Sequence, residues 1–430
     1  MKVGFLSVEY QTVDPRTAKM ALFDNCHSAD LFVTAEVGEI DGAVNMLRAA
    51  CDAIVIDGNV DAFYDAYKDT LAHRPDHFEL DGKLHSVAAK VDSKFLTEKF
   101  IPLLNKKIKK RYAVMVFKTY GKSQDELKAL LKEYMTKKSK VQFGFFDDFL
   151  ECEVHARVST GIAKEDMNDI SDRLVELLRG CTYAYEDITI NERVAQILRA
   201  EGLKIKIAES FTGGALGAAF TSVAGASEYL MEDVVTYSVA SKNKRLGVPF
   251  ETIAAKGVVS GDTAYNMALG LMSSGDCDIA IATTGNAGPS VQSGTLGLCY
   301  VALGITSQKS IAVIKYTFNG DRDYNIKSGV KNAMFLLYES LISYKRQKKQ
   351  REAMAAAQAQ QPIQPMQQPV QQPIPQQQPM QQPVQYAQPM QQPQAVQYAP
   401  KQPVQQAPQH TTPIAPFAPT IVSPNDGNDN

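Results

Sequence analysis

A hydroxyl on a glycine turn is the first place in this sequence where chemistry can be built. Residues Ala208–Gly214 read A-E-S-F-T-G-G, after the apolar run Leu203–Ile207 and before the small-residue segment Ala215–Phe220. That order predicts strand, tight turn and helix. Ser210 lies on the turn, and Gly213 and Gly214 let backbone N–H groups approach a ligand at the helix start. A serine so placed serves as a nucleophile or as a helix cap, and the segment alone leaves both open. A nucleophile needs a base, and donors for the oxyanion that develops. No histidine lies between His155 and His410. A Ser-His-Asp arrangement is therefore excluded within residues 189–345, and a histidine-rich metal site is disfavoured there. The base must be a lysine or a tyrosine. Tyr237 and Lys242, at the end of the strand-like run Val234–Lys242 (V-V-T-Y-S-V-A-S-K), are the candidates.

Three more segments follow in order: Gly257–Ser260 (G-V-V-S), Asp278–Pro289 (D-I-A-I-A-T-T-G-N-A-G-P) and Gly320–Lys327 (G-D-R-D-Y-N-I-K). In this order and spacing the set resembles the CinA family, whose C-terminal domain is a nicotinamide mononucleotide deamidase. The resemblance covers residues 190–345 well, 110–190 moderately and 1–105 weakly. It implies that Ser210 is the nucleophile, that Tyr237 and Lys242 fill the Y-S-x-x-x-K positions, and that Thr284 and Gly285 fill the T-G motif. It further implies an oxyanion site at the backbone of Thr212, Gly213 and Gly214. Glu209 would orient the lysine or a substrate hydroxyl. Arg322 would contact a phosphate, for which a guanidinium fork is suited. Lys327 stands where the family has a second arginine, keeping the charge without the fork.

The sequence departs from the family pattern at several points. The usual G-I-A-G-P reads G-N-A-G-P at Gly285–Pro289, the loop Ser290–Gly294 is short, and Phe211 replaces a cysteine beside the nucleophile. Each site residue also has an ordinary structural use: Tyr237 packing at a strand end, Lys242 in a solvated turn with Lys244 and Arg245, Thr284 capping a helix, Arg322 pairing with Asp321 or Asp323. Taken with the residues, the resemblance implies hydrolysis of nicotinamide mononucleotide to nicotinate mononucleotide and ammonia, with no metal and no cofactor. The rival from another class is a non-enzymatic oligomeric scaffold whose tail recruits a partner. A third possibility, metal-dependent hydrolysis of a nucleotide diphosphate by the N-terminal region, is opposed by the turn at Asp57–Asp65 (D-G-N-V-D-A-F-Y-D), which lacks the family's G-G-L-G-P-T glycines and paired aspartates.

The elements that position these residues belong to an α/β chain of four parts. Residues 1–105 alternate strands (Lys2–Val8, Asp30–Thr34, Ala53–Asp57) with helices (Thr17–Asn25, Ile40–Cys51), giving an α/β domain with a parallel sheet. It is similar to a molybdopterin-binding domain, degenerate and mainly structural. Residues 106–188 read β-α-β-β-α-β, with strands Tyr112–Thr119, Val141–Asp147 and Cys152–Ser159, the last two forming a hairpin across Asp148–Glu151. Helices are expected at Ser123–Lys137 and Lys164–Leu178. Residues 189–345 form an α/β/α domain with a mainly parallel sheet, opened by helix Glu192–Glu201 before Gly202. It closes on an amphipathic helix, Ser328–Tyr344, whose stripe of Val330, Ala333, Met334, Leu337 and Leu341 suits core or a dimer interface. Residues 346–430 hold 16 of the 21 prolines and many glutamines, a composition that predicts disorder.

Composition narrows the partners. Formal net charge is −2, which gives no electrostatic case for nucleic acid or an anionic membrane. The lysine cluster Lys106–Arg111 lacks interleaved aromatics and reads as a solvated helix end. No apolar run reaches the roughly 20 residues of a membrane span, and the start M-K-V-G-F-L-S-V-E-Y is too short an apolar stretch for a signal peptide. Six scattered cysteines without a C-x-x-C pair read as buried thiols in a reducing, cytoplasmic setting. The expected partner is a small-molecule nucleotide, with the chain a homo-oligomer, most simply a dimer.

Overall fold

Period-two alternation builds the first sheet. In the computed structural model, which describes residues 1–71, 73–106, 112–136, 140–159, 161–291, 294–359 and 420–421, strand β1 is Lys2–Val8, β2 is Ser28–Ala35 and β3 is Ala53–Gly58. Val3, Phe5, Ala53 and Val55 enter one core, while Leu6, Val8, Ile54 and Ile56 enter the other. Both faces are therefore apolar, as a sheet covered on both sides requires. The strands β4 (His77–Leu80) and β5 (Lys83–Val87) complete the order β2-β1-β3-β5-β4. Pairing is parallel except between β4 and β5. Helices Pro15–Asp24 and Ile40–Ala50 lie where the sequence places them. Asp57, at the degenerate turn, accepts through Oδ2 from the backbone N–H of Thr12 at 2.8 Å and of Val13 at 3.0 Å, so that oxygen is occupied by its own chain, while Oδ1 is buried without a partner.

The second sheet has the order β7-β8-β6-β9, with β6 Tyr112–Tyr120, β7 Val141–Asp148, β8 Glu151–Ser159 and β9 Thr182–Ala184. Its pairs are antiparallel. The β7–β8 hairpin turns at Phe149–Leu150. Helix Gln124–Leu130 is opened by a capping box between Ser123 and Glu126, and it stops well short of the expected Lys137. Residues 107–111 of the lysine cluster fall outside the described residues. Helix Pro15–Asp24 is fastened to this sheet by charge. Glu153 receives Lys118 Nζ at 2.7 Å and a contact from Arg16, and His155 links Asp24 at 2.7 Å to Glu153 at 3.3 Å. Burial alone would raise the Glu153 carboxyl; His155, Lys118 and Arg16 outweigh it and hold it at about 2.

The third sheet carries the site. Helix Ile190–Glu201 enters through a Thr189–Glu192 capping box and ends on Gly202 at φ +67°. Strands β10 (Ile205–Glu209), β11 (Leu230–Val235) and β12 (Ile279–Gly285) are parallel; β13 (Leu298–Ile305) and β14 (Ser310–Thr317) return antiparallel. The sheet is thus mixed rather than mainly parallel. The physical reason is local: β12–β13 and β13–β14 are joined without a crossover helix, and such strands can only pair antiparallel. Alanines 208, 280, 282 and 302 present a flat face to helix Gly261–Ser273.

The last helix runs Arg322–Ala359, starting six residues before the expected Ser328 and continuing past Tyr344. Ala333, Met334, Leu337 and Leu341 are buried along it, and Val330 is half-buried. The compact unit that holds the three sheets comprises Met1–Ile342 and Ile414–Asn430; of the second unit, Ser343–Pro413, the described part is the helical stretch to residue 359. The expected disordered tail began at residue 346, but residues 346–359 continue the last helix, and Thr420–Ile421 form a short strand β15 antiparallel to β14; residues 360–419 and 422–430 lie outside the described residues. All six cysteines are free thiols, five of them buried. Among the described residues no helix is long and apolar enough to cross a membrane.

Gly270 is where helix Gly261–Ser273 touches the end of the helix Val239–Leu246: a Cβ there would fall 2.0 Å from the Leu246 carbonyl oxygen. Gly270→Val is expected to destabilise the chain by about 1–3 kcal/mol, read as a lower urea midpoint at unchanged m-value.

Candidate active site

The carboxyl end of β10 is held from both sides. The Ser210 N–H donates to Thr283 O on β12 at 2.9 Å, and the Thr236 N–H donates to Glu209 O at 2.8 Å. Ser210 therefore leaves the sheet between two fixed strands, which is where open α/β sheets bind ligands. The next residues turn through Gly213 (φ +62°) and Gly214 (φ +102°) into helix Ala215–Thr221. Few side chains tolerate those angles.

Lys242 reaches the serine from a helix, not from a strand end. The run Val234–Lys242 breaks after Val235, because Ser238 accepts from the Ser241 N–H at 3.1 Å and opens helix Val239–Leu246. That capped turn carries Lys242 inward, where its side chain has no exposed surface. Its Nζ donates to Ser210 Oγ at 2.9 Å, to Thr236 O at 2.7 Å and to Tyr237 O at 3.4 Å. The ammonium has no carboxylate partner there, and burial pushes its pKa down to about 8. The donor count suits both protonation states. Charged, the amine gives three protons to three acceptors. Neutral, it gives two to the carbonyls and turns its lone pair to the serine hydroxyl.

The pocket beside this pair is lined by Ser210, Phe211, Tyr237, Thr284, Asn286 and Arg322, among others, and encloses about 570 Å³ including its open mouth. Tyr237 contributes its carbonyl to Lys242, while its ring is exposed and its hydroxyl lies 3.5 Å from Arg322 Nη2. The side chain expected as an alternative base thus stands on the rim. Arg322 Nη1 donates to Gly288 O at 2.7 Å. Thr284 is buried and donates to Val258 O at 2.9 Å, so it pins the G-V-V-S segment against the pocket. Gly285 faces the pocket wall with no room for a Cβ, which would sit 2.2 Å from Leu298 O.

Three expected site residues are placed elsewhere. Glu209 is fully buried and accepts from the N–H groups of Gly214 at 2.7 Å, Leu216 at 3.2 Å and Gly217 at 2.6 Å. It caps the helix start instead of orienting the lysine or a substrate. It also removes the Gly214 N–H from the expected oxyanion donors. Thr212 is buried, with its hydroxyl bonded to that of Thr283 at 2.8 Å. Lys327 is exposed and paired with Asp323 at 2.7 Å, off the pocket lining. Its place on the helix explains this: five residues past Arg322 a side chain points to a different face.

Two contributors were not singled out from sequence. Asn325, fully buried, donates to Ala287 O at 3.0 Å and to Gly320 O at 2.9 Å, tying the pocket loop to the last helix. Asp233 faces Glu209 carboxyl to carboxyl. Burial first, and then the charge and hydrogen bond of Glu209, raise its pKa well above the ordinary aspartate value. Gly217 makes room for it, since a Cβ there would lie 1.9 Å from Asp233 Oδ2. Asn325 stands inside the quoted G-D-R-D-Y-N-I-K segment; Asp233 carries no local signal.

Fold and site together define a class: a mixed α/β domain with a hydrogen-bonded serine–lysine pair at the carboxyl end of its central parallel strand. Comparison with known proteins gives the family. The CinA family model, described as the CinA C-terminal domain, matches residues 187–341. A CinA-like protein from Geotalea uraniireducens (strain Rf4) is 34% identical over 237 residues, 53% of this chain and 56% of its own. A CinA-like protein from Chlorobium phaeobacteroides is 36% identical over 188 residues, 43% of this chain and 44% of its own. A crystal structure of a competence-damaged protein (CinA) superfamily member from Klebsiella pneumoniae is 35% identical over 36% of this chain and 96% of that one, with a TM-score of 0.35. The chain belongs to the CinA family. It spans about half the length of the curated relatives it matches.

Glu209→Ala would leave three helix-start N–H groups and the Asp233 carboxyl without their acceptor. We expect a loss of about 3 kcal/mol or more and faster hydrogen exchange at Gly214, Leu216 and Gly217. Unchanged exchange at those amides would refute the capping role.

Proposed function

We propose that the chain is an amidohydrolase that converts nicotinamide mononucleotide and water to nicotinate mononucleotide and ammonia. One observation carries this reading: a lysine with no exposed surface lies 2.9 Å from the hydroxyl of a serine that lines a pocket shared with Arg322. With its pKa near 8, about a tenth of Lys242 is neutral at pH 7, enough for a base poised near its working pH.

The steps follow from the donor geometry. Ser210 Oγ attacks the carboxamide carbon and passes its proton to the Lys242 lone pair. The carbonyl π pair moves to oxygen, which takes hydrogen bonds from backbone N–H groups in Phe211–Gly213. The intermediate collapses by breaking the C–N bond, and Lys242 returns the proton to the departing nitrogen as ammonia leaves. A water then attacks the Ser210 ester, gives a proton to Lys242, and releases nicotinate mononucleotide as the serine recovers its proton. Thr236 O and Tyr237 O hold Nζ throughout, so little reorganisation accompanies each transfer. Arg322 binds the phosphate from the pocket wall, and the exposed Tyr237 ring borders the pyridinium.

Ammonia release from nicotinamide mononucleotide is the test. Ser210→Ala and Lys242→Met are each expected to lose at least about a thousandfold in kcat, and Arg322→Ala to raise KM about ten- to hundredfold with kcat spared. Full activity in Ser210→Ala, or none in the wild type, would sink the proposal.

The neutral amine is the active form, so kcat/KM of the wild type should climb about tenfold per pH unit and level off above about pH 8. A rate that is flat from pH 6 to 9 would remove Lys242 from the role of base.

A further inference from the structure

The pocket wall that carries Arg322 is braced from outside its own sheet. Arg322 is the first residue of the last helix. Asp321 caps that helix, accepting from the Tyr324 N–H at 2.8 Å. Two residues from Arg322, Tyr324 meets Phe149, the tip of the β7–β8 hairpin, edge to face with ring centroids 5.2 Å apart. Gly320 lies so close to the Tyr324 ring that a Cβ there would fall 2.2 Å from it. The ring, partly exposed, thus touches both the hairpin tip and the turn entering the helix. The neighbouring Asn325 fixes Ala287, and Arg322 fixes Gly288, by the bonds already described. Hairpin tip, helix start and pocket loop are thus one run of contacts.

The same hairpin grips the helix further along. Glu151, at the start of β8 and half-buried, pairs with Lys331 at 2.5 Å and accepts from the Tyr183 hydroxyl at 2.9 Å. One turn on, Phe335 stacks on Tyr120 of β6 with centroids 3.8 Å apart and planes within 7°. Tyr120 also donates to Glu339. Contacts at residues 324 and 331, continued at 335 and 339, tie this face of the helix start to the second sheet.

We propose that the β7–β8 hairpin is a positioning clamp for the phosphate-binding wall, with Phe149 and Glu151 of the second sheet acting on substrate binding through Tyr324, Lys331 and then Arg322. The proposal rests on the reading of Arg322 as a phosphate contact. Phe149 and Glu151 touch no substrate; they set where the guanidinium stands. The clamp therefore bears on ground-state binding of the phosphate, while the Ser210–Lys242 chemistry is fixed by β10 and the helix Val239–Leu246.

The test compares full-length wild type with Phe149→Ala, Tyr324→Ala and Glu151→Gln, the last keeping an acceptor for Tyr183. Thermal melts verify folding of each variant. Two readouts are taken: hydrogen exchange across residues 320–328, and kinetics with nicotinamide mononucleotide and with nicotinamide riboside, which lacks the phosphate. The clamp requires faster exchange at 320–328 and a KM for the mononucleotide raised about two- to tenfold. It also requires kcat unchanged and kcat/KM for the riboside unchanged. Unaltered exchange overturns the clamp. Equal losses on both substrates also overturn it, because general damage to the fold would act on both. If the wild type turns over neither compound, the proposed reaction fails, and calorimetric binding of the mononucleotide then replaces KM. Wild-type affinity in the variants would overturn the clamp in that case as well.

Discussion

Everything at the site depends on burying one amine. Lys242 has left water without gaining a carboxylate, and what keeps it there is two carbonyls and a hydroxyl. Neutral acceptors offset only part of the desolvation of an ammonium, so the folded state favours the uncharged form and the pKa falls. A carboxylate in the same place would reverse that effect and leave a spent base. The surrounding architecture can be understood as serving this arrangement. Ser238 starts a helix at the one point that aims residue 242 inward. Thr236 and Tyr237 carry their carbonyls past the end of β11, and β10 delivers the hydroxyl.

Charge elsewhere in the chain is handled in the opposite way. Where the first and second sheets meet, Glu153 is buried yet surrounded by Lys118, Arg16 and His155, and its carboxyl is held low. A buried acid with three basic neighbours stays ionised and fastens two elements together. A buried amine with none becomes titratable near neutrality. The chain thus uses the same residue classes for attachment and for proton transfer, and the identity of the neighbours decides which.

Short apolar runs between helical segments made the strands Lys2–Val8 and Ala53–Asp57 legible in the sequence, the turn Asp148–Glu151 made the β7–β8 hairpin legible, and Gly202 marked the end of a helix expected from Glu192 that in fact begins at Ile190. The absence of histidine from the segment left Tyr237 and Lys242 as candidate bases, the family resemblance matched both, and it is Lys242 that bonds Ser210. What misled was local propensity. V-V-T-Y-S-V-A-S-K is rich in β-branched residues, yet one hydrogen bond from Ser238 turns its second half into helix. The family resemblance put Glu209 and Lys327 in the pocket, but adjacency in sequence to Ser210 and Arg322 implies nothing about facing. The first points back under its own helix, and the second follows the helical period away from Arg322. Asp233 was invisible, since a carboxyl on an edge strand gains its meaning only from the Glu209 and Gly217 it meets across space.

The Asp233–Glu209 pair has a consequence for how the domain holds its shape. Two carboxyl groups in contact favour one keeping its proton; Glu209 accepts three backbone N–H groups and stays ionised, so the proton falls to Asp233, whose pKa is raised. That proton is in effect a bound ligand: the folded chain takes it up more tightly than the unfolded chain does. Such a ligand stabilises by mass action when abundant and is withdrawn as its concentration drops. Its contribution is complete below the ordinary aspartate pKa and is lost as the pH rises toward the raised value. Because Glu209 caps the helix that follows the nucleophile, the hydrogen ion acts as a removable structural part of the active-site floor. It is most firmly seated in acid, where the lysine above it is least able to work.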